Sequence, residues 1–232
     1  MKSLNRKARW IGILYIIGTV SGVLSLVFTS PIRNAPDLFT YLPMHQNQLL
    51  LGAMAVLAMG LALALIPVIA FPVMYKKDQT LAVGYLVFRG ALETFTYLLT
   101  VLSWLLLLGI ADQSLHASGM DAPGFQFLGE LVLEGQAISF VGTVVFLIGA
   151  FMFYFLLYKS RLVPRWLSGW GLIAALPYLL SAFMALFGLI GYMSTPNTLL
   201  QMPLAIQEMV LAVWLIVKGF SPSALEDRAP AA

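Results

Sequence analysis

Long uncharged apolar runs, separated by short charged or polar clusters, organise this chain. Residues 10–32, 38–75, 135–158 and 166–207 carry no Asp, Glu, Lys or Arg. A bilayer-spanning helix needs about 20 mostly apolar residues. The pattern predicts six such helices, over 10–29, 48–74, 80–110, 128–158, 166–190 and 199–217. The last uncharged run holds two of them, split by a turn-forming stretch from Gly191 to Thr198. The outer loops are 30–47 and 111–127, and the inner turns are short. Pro67, Pro72 and Pro177 fall inside predicted helices and are expected to kink them.

Composition sharpens this pattern. Of 232 residues, 60% are hydrophobic and 10% charged, with mean hydropathy +0.91. Soluble domains are about 45–50% apolar and about 25% charged. A soluble globule of this size cannot hide so much apolar surface. The numbers also exclude disorder and nucleic-acid binding and leave membrane lipids as the surroundings. The fold class expected is all-α: a polytopic bundle of six transmembrane helices. Residues 1–218 form one domain, and 219–232 a disordered polar tail.

The chain carries 13 Lys+Arg against 10 Asp+Glu, and their placement matters more than their sum. With the N-terminus in the cytoplasm, inner segments hold Lys2, Arg6, Lys7, Arg9, Lys76, Lys77, Lys159, Arg161, Arg165, Lys218 and Arg228. The outer loops hold Arg33, and Arg89 lies within a span. The positive-inside rule then predicts a multi-pass protein of a cytoplasmic membrane with both termini inside. Trp10, Tyr75, Tyr158, Trp166 and Trp214 fall near the inner boundary, and Trp104 and Tyr192 near the outer one, where aromatic anchors belong. The first span is too long for a signal-peptide core and is read as an uncleaved anchor.

Candidate chemistry concentrates in the third helix. At 1.5 Å per residue, Arg89 lies roughly 14 Å and Glu93 roughly 20 Å into the membrane, near the middle of a core about 30 Å thick. At 100° per residue, Tyr85, Arg89, Glu93, Thr96, Thr100 and Ser103 share one stripe, which must face protein or water. Arg89 and Glu93 are spaced to pair. Glu208 lies near mid-depth on the sixth helix, with Gln201 on nearly the same face. With no oppositely charged residue close on its own helix, Glu208 needs Arg89, a hydroxyl, water or a proton. If all three are ionised, the trio sums to −1, so one carboxyl carries a proton or faces a cation.

Glu130, Glu134 and His116, near the outer surface, are weak metal candidates, better read as solvated loop polars. They lack the spacing of a paired-His zinc motif. No cofactor is expected. His45 and His116 both sit at the outer edge, away from where haem ligands would lie. Cysteine is absent. Gly18 and Gly22 form a G-x-x-x-G face that suits packing within the chain and leaves room for a homo-oligomer. Tyr75-Lys76-Lys77 with Gly84-Tyr85 and Tyr158-Lys159-Ser160-Arg161 with Gly169-Trp170 read either as two ordinary cytoplasmic hairpins or as a weak parallel repeat.

Three blocks resemble a known family. They are Arg9-Trp10-Ile11-Gly12-Ile13-Leu14-Tyr15; the run from Leu65-Ile66-Pro67-Val68 through Tyr75-Lys76, Gly84-Tyr85 and Arg89 to Glu93; and Tyr158-Lys159-Ser160-Arg161-Leu162-Val163-Pro164-Arg165-Trp166-Leu167 with Gly171. The chain is similar over most of 8–218 to the prokaryotic membrane family DUF4386, a domain of unknown function. The resemblance implies a multi-helix membrane protein and supplies no activity or catalytic residues.

Three functional readings follow. The first is a non-catalytic membrane protein with a sensing, assembly or stress role and a mutually satisfied Arg/Glu cluster. The second is a small-molecule binder or transporter with a pocket between the third and sixth helices. The third is an intramembrane enzyme on a lipid-like substrate. A cavity reaching Arg89 and Glu208 distinguishes the second from the first.

Overall fold

Among the described residues, six helices are long and apolar enough to cross a bilayer. The computed structural model describes residues 2–114 and 122–221, and among these there is no strand. The elements are α1 (Lys2–Arg33), α2 (Leu38–Tyr41), α3 (Gln46–Met74), α4 (Gln79–Tyr85), α5 (Glu93–Ser114), α6 (Ala122–Glu134), α7 (Gln136–Ser160), α8 (Arg165–Leu186) and α9 (Thr195–Val217). This is a multi-pass membrane protein.

Several elements differ from the expected ones. The first helix starts near the N-terminus, taking the basic residues Arg6, Lys7 and Arg9 into its first turns, and runs through Pro31 to Arg33. The loop after it contains a short helix, because Asp37 caps α2 by accepting from the backbone N–H groups of Phe39 and Thr40. Hydrogen bonds from the Thr40 hydroxyl and these N–H groups hold the Asp37 carboxyl below its usual range. The third span is not one α-helix: Leu86–Leu92 winds as a π-helix joining α4 to α5. The fourth breaks at Gly135, whose φ of +55° is left-handed, a conformation open to glycine at little cost. The fifth ends at Leu186. Helices α3 and α8 continue through Pro67, Pro72 and Pro177.

The Gly18/Gly22 face is used within the chain. A Cβ at Gly18 would lie 2.7 Å from Leu63, and one at Gly22 3.0 Å from Met59, both on α3. At the other end of α1, a Cβ at Gly12 would run into the Ala212 carbonyl of α9. Thus α1 leans on α3 toward its Arg33 end and on α9 toward its Lys2 end. The core of the Lys2 end holds Ile11, Tyr15, Met74, Tyr85, Phe153, Tyr154, Leu211 and Leu215, all almost fully buried. A second core near the Arg33 end holds Ile32, Leu42, Leu49, Trp104 and Leu107.

The turns at the Lys2 end are tied together. Asp78 caps α4 by accepting from the Leu81 N–H and also pairs with Lys159 at 3.1 Å. These contacts, the Leu81 bond foremost, hold its carboxyl below the usual range. Of the predicted tail, Phe220 is 2% exposed and packs in the core. The Ser221 N–H donates to the Leu162 carbonyl at 2.8 Å. Residues from Pro222 onward lie outside the described ones.

Candidate functional site

The π-helix presents Arg89, and its neighbours clamp it. The ring of Pro67 on α3 lies against Gly90, and on α7 a Cβ at Gly149 would meet the Arg89 backbone nitrogen at 3.1 Å. The wide turn is visible in its hydrogen bonding: the Glu93 N–H donates to the Phe88 carbonyl, five residues back. Such turns inside α-helices are rare and occur frequently at functional sites.

Arg89 is 2% exposed and Glu93 1%. The guanidinium Nη1 donates to both Glu93 oxygens at 3.0 Å. Its Nη2 donates to Glu208 Oε1 at 3.4 Å. The guanidinium carbon stands 4.5 Å over the ring of Phe146, within cation–π range. Glu93 also accepts from the Tyr97 hydroxyl at 2.6 Å. Tyr154 places its hydroxyl beside Glu208 without a well-formed hydrogen bond. The Arg89 Nε is buried with no hydrogen-bond partner among the described residues. A buried donor left in that state costs about 1–3 kcal/mol, more if charged.

A cavity of about 480 Å³ lies against this cluster, within the range of about 300–1,000 Å³ typical of small-molecule sites. Arg89, Glu93 and Glu208 line its floor. One wall carries Thr96, Thr100 and Ser103 of α5, facing Ser139 and Thr143 of α7. The other is mostly apolar, from Val56, Met59 and Leu63 of α3 with Val23 and Leu26 of α1, and also holds Thr19 and Ser25. At its far end are Arg33 and Trp104, with the Arg33 guanidinium 5.5 Å over the indole. Below the ion cluster, Tyr15, Tyr85, Phe153 and Tyr154 are each at most 2% exposed, and Tyr85 stacks on Phe153 at 4.6 Å.

Of the sequence-derived candidates, Arg89, Glu93, Thr96, Thr100 and Glu208 line this cavity, and Tyr85 and Gln201 do not. Tyr85 belongs to the plug beneath it. Gln201 donates to Asn197 at 3.1 Å, and Asn197 in turn donates to the Tyr192 carbonyl, in a separate polar corner. Trp104 is 4% exposed and so is a cavity wall, not an anchor in lipid. Glu130 is exposed on α6, Glu134 ends that helix, and His116 lies outside the described residues. Among the described residues no three His, Asp or Glu side chains gather as a metal site. Sequence reasoning missed Phe146 and Tyr97. Phe146 had no signal along the chain, whereas Tyr97 stands four residues after Glu93, spacing that would have revealed it.

A helical multi-pass membrane protein with an ion cluster and a cavity at mid-depth is the class these features define. The family described as a domain of unknown function, DUF4386, matches residues 10–219, and the chain belongs to it. No curated protein and no solved structure matches.

Proposed function

We propose that this protein is a membrane-embedded binder, non-catalytic in role, for a small amphiphile with a positively charged head. The carrying observation is the cavity that reaches Arg89, Glu93 and Glu208 together. A purely architectural clasp calls for a filled interior with its charges mutually satisfied. Here open volume meets the cluster, the Arg89 Nε lacks a partner, and the Glu208 side chain is 16% exposed with one long contact to Arg89. With both carboxylates ionised, Arg89 leaves a local charge of −1 at the floor, while Arg33 stands at the far end of the cavity, so a low-dielectric setting favours a cation at the floor. The half-apolar walls suit an alkyl body.

A binding role accords with the hydroxyls. Thr96 donates to the Glu93 carbonyl at 2.7 Å and Thr100 to the Thr96 carbonyl at 3.1 Å. These donors are spent on their own helix, so neither is poised as a nucleophile beside a base. The basic residues of the Lys2 end support a cytoplasmic membrane with both termini inside. Fusing alkaline phosphatase or a fluorescent protein to the C-terminus tests that placement: fluorescence without phosphatase activity is expected, and the reverse overturns it.

The ligand test uses purified protein in nanodiscs with three chain-matched probes: dodecylamine, dodecanol and dodecanoate. Dodecylamine is expected to raise the melting temperature most, and Glu208→Gln to remove that preference. Equal effects of all three overturn the cationic head, and no stabilisation by any of them overturns the binding site.

A further inference from the structure

We infer that the ligand reaches this cavity sideways out of the bilayer, through a gap between α1 and α9 in the half of the membrane nearer Arg33. The inference rests on the binding role proposed above and narrows its ligand to one dissolved in lipid. Two residues of α1, Val23 and Leu26, line the cavity, yet they are 54% and 50% exposed. Ala205 of α9 also lines it and is exposed. A residue that both lines a cavity and meets the exterior stands at its mouth.

The packing of α1 explains the gap. Toward its Lys2 end this helix is pressed onto α9, where Gly12 meets the Ala212 carbonyl. Toward its Arg33 end its small face is committed to α3 through Gly18 and Gly22. One helix thus follows two neighbours, and space opens between α1 and α9 where the first contact gives way to the second. Depth settles what the mouth faces. At 1.5 Å per residue, Leu26 lies about 10 Å and Val23 about 15 Å below Arg33, inside the hydrocarbon. Val20 and Ile206 beside it are apolar and exposed. Acyl chains meet this mouth, so a molecule entering there must already be dissolved in them. Once inside, its charged head finds Glu208 while its chain keeps the apolar wall of α1 and α3.

The test narrows the mouth with Val20→Phe and Ile206→Phe, exposed residues beside the mouth that do not line the cavity, so melting temperature is expected to stay within a few degrees of wild type. The probe is a dodecylamine brominated on its chain, read in nanodiscs by quenching of Trp104. Trp104→Phe identifies that component among the five tryptophans. Each wedge should slow association and dissociation by tenfold or more while Kd moves less than threefold, because a portal alters both rates and a contact alters their ratio. Rapid, unchanged association in both wedge variants overturns the lateral route and leaves the cavity reading standing. Absence of saturable quenching in the wild-type protein overturns the binding site itself, and the route with it.

Discussion

The guanidinium of Arg89 and the carboxylate of Glu208, 119 residues apart in sequence, meet at 3.4 Å in the middle of the bundle. That contact ties the third membrane span to the sixth. It also makes Arg89 the cation that two carboxylates share at the cavity floor.

Removing the shared cation should be the most damaging change. Arg89→Leu leaves Glu93 and Glu208 buried together without a counter-charge. Breaking a buried pair in this way costs about 3–5 kcal/mol. Folded yield in detergent and thermal stability should both fall sharply, measured by size-exclusion chromatography and melting curves. Wild-type stability in this variant would rule out a buried ion pair.

The two carboxylates should behave differently. Glu93 is 1% exposed, holds both short contacts to Arg89 and accepts from Tyr97. Glu208 has one long contact and faces open volume. Glu93→Gln is therefore expected to lower stability by more than Glu208→Gln, which should mainly weaken cation binding. Equal losses of stability would assign Glu208 to the architecture.

Overpacking tests how closely the plug is fitted. A Cβ at Gly171 would fall 2.8 Å from the ring of Tyr154, which is fully buried beside Glu208. Gly171→Ala should destabilise the protein by about 1–3 kcal/mol. Gly109→Ala, where a Cβ meets nothing within 4 Å, is the matched control and should be neutral or slightly stabilising. The two melting temperatures decide the matter.

At the Lys2 end, Asp78→Ala removes a helix cap and an ion pair. The cap is worth about 0.5–2 kcal/mol, and the exposed pair with Lys159 about 0–1 kcal/mol. Lys159→Ala should thus cost less than Asp78→Ala. The Asp78 carboxyl titrates below its usual range, so its stabilising effect is full above about pH 4, the ordinary Asp value. It should fade as pH falls through the lowered one. Melting curves of wild type and Asp78→Ala should converge only at that acidic end.

Much of the fold was legible because lipid is an unforgiving solvent. Charges are so costly in hydrocarbon that their gaps mark the spans, and Arg89 with Glu93 could be paired from spacing alone. What could not be read depends on neighbours. Leu86–Leu92 has the composition of ordinary helix, and its wide turn lies where Pro67 and Gly149 pack against it. Gly135 looks like any glycine in an apolar run until its backbone sign is seen. Trp104 reads as an interfacial anchor because a sequence cannot show Arg33 folding over it. The Arg89–Glu208 contact is tertiary, and only the packed bundle brings those helices to one cavity.

The broad turn at Leu86–Leu92 has a genetic corollary. Its hydrogen bonds reach five residues back where an α-helix reaches four, so this window holds a residue more than ordinary helix would, and deleting one amino acid here is absorbed by tightening to an α-turn. The same deletion just past Glu93, where the helix advances about 100° per residue, would swing Thr96, Thr100 and Ser103 off the cavity wall.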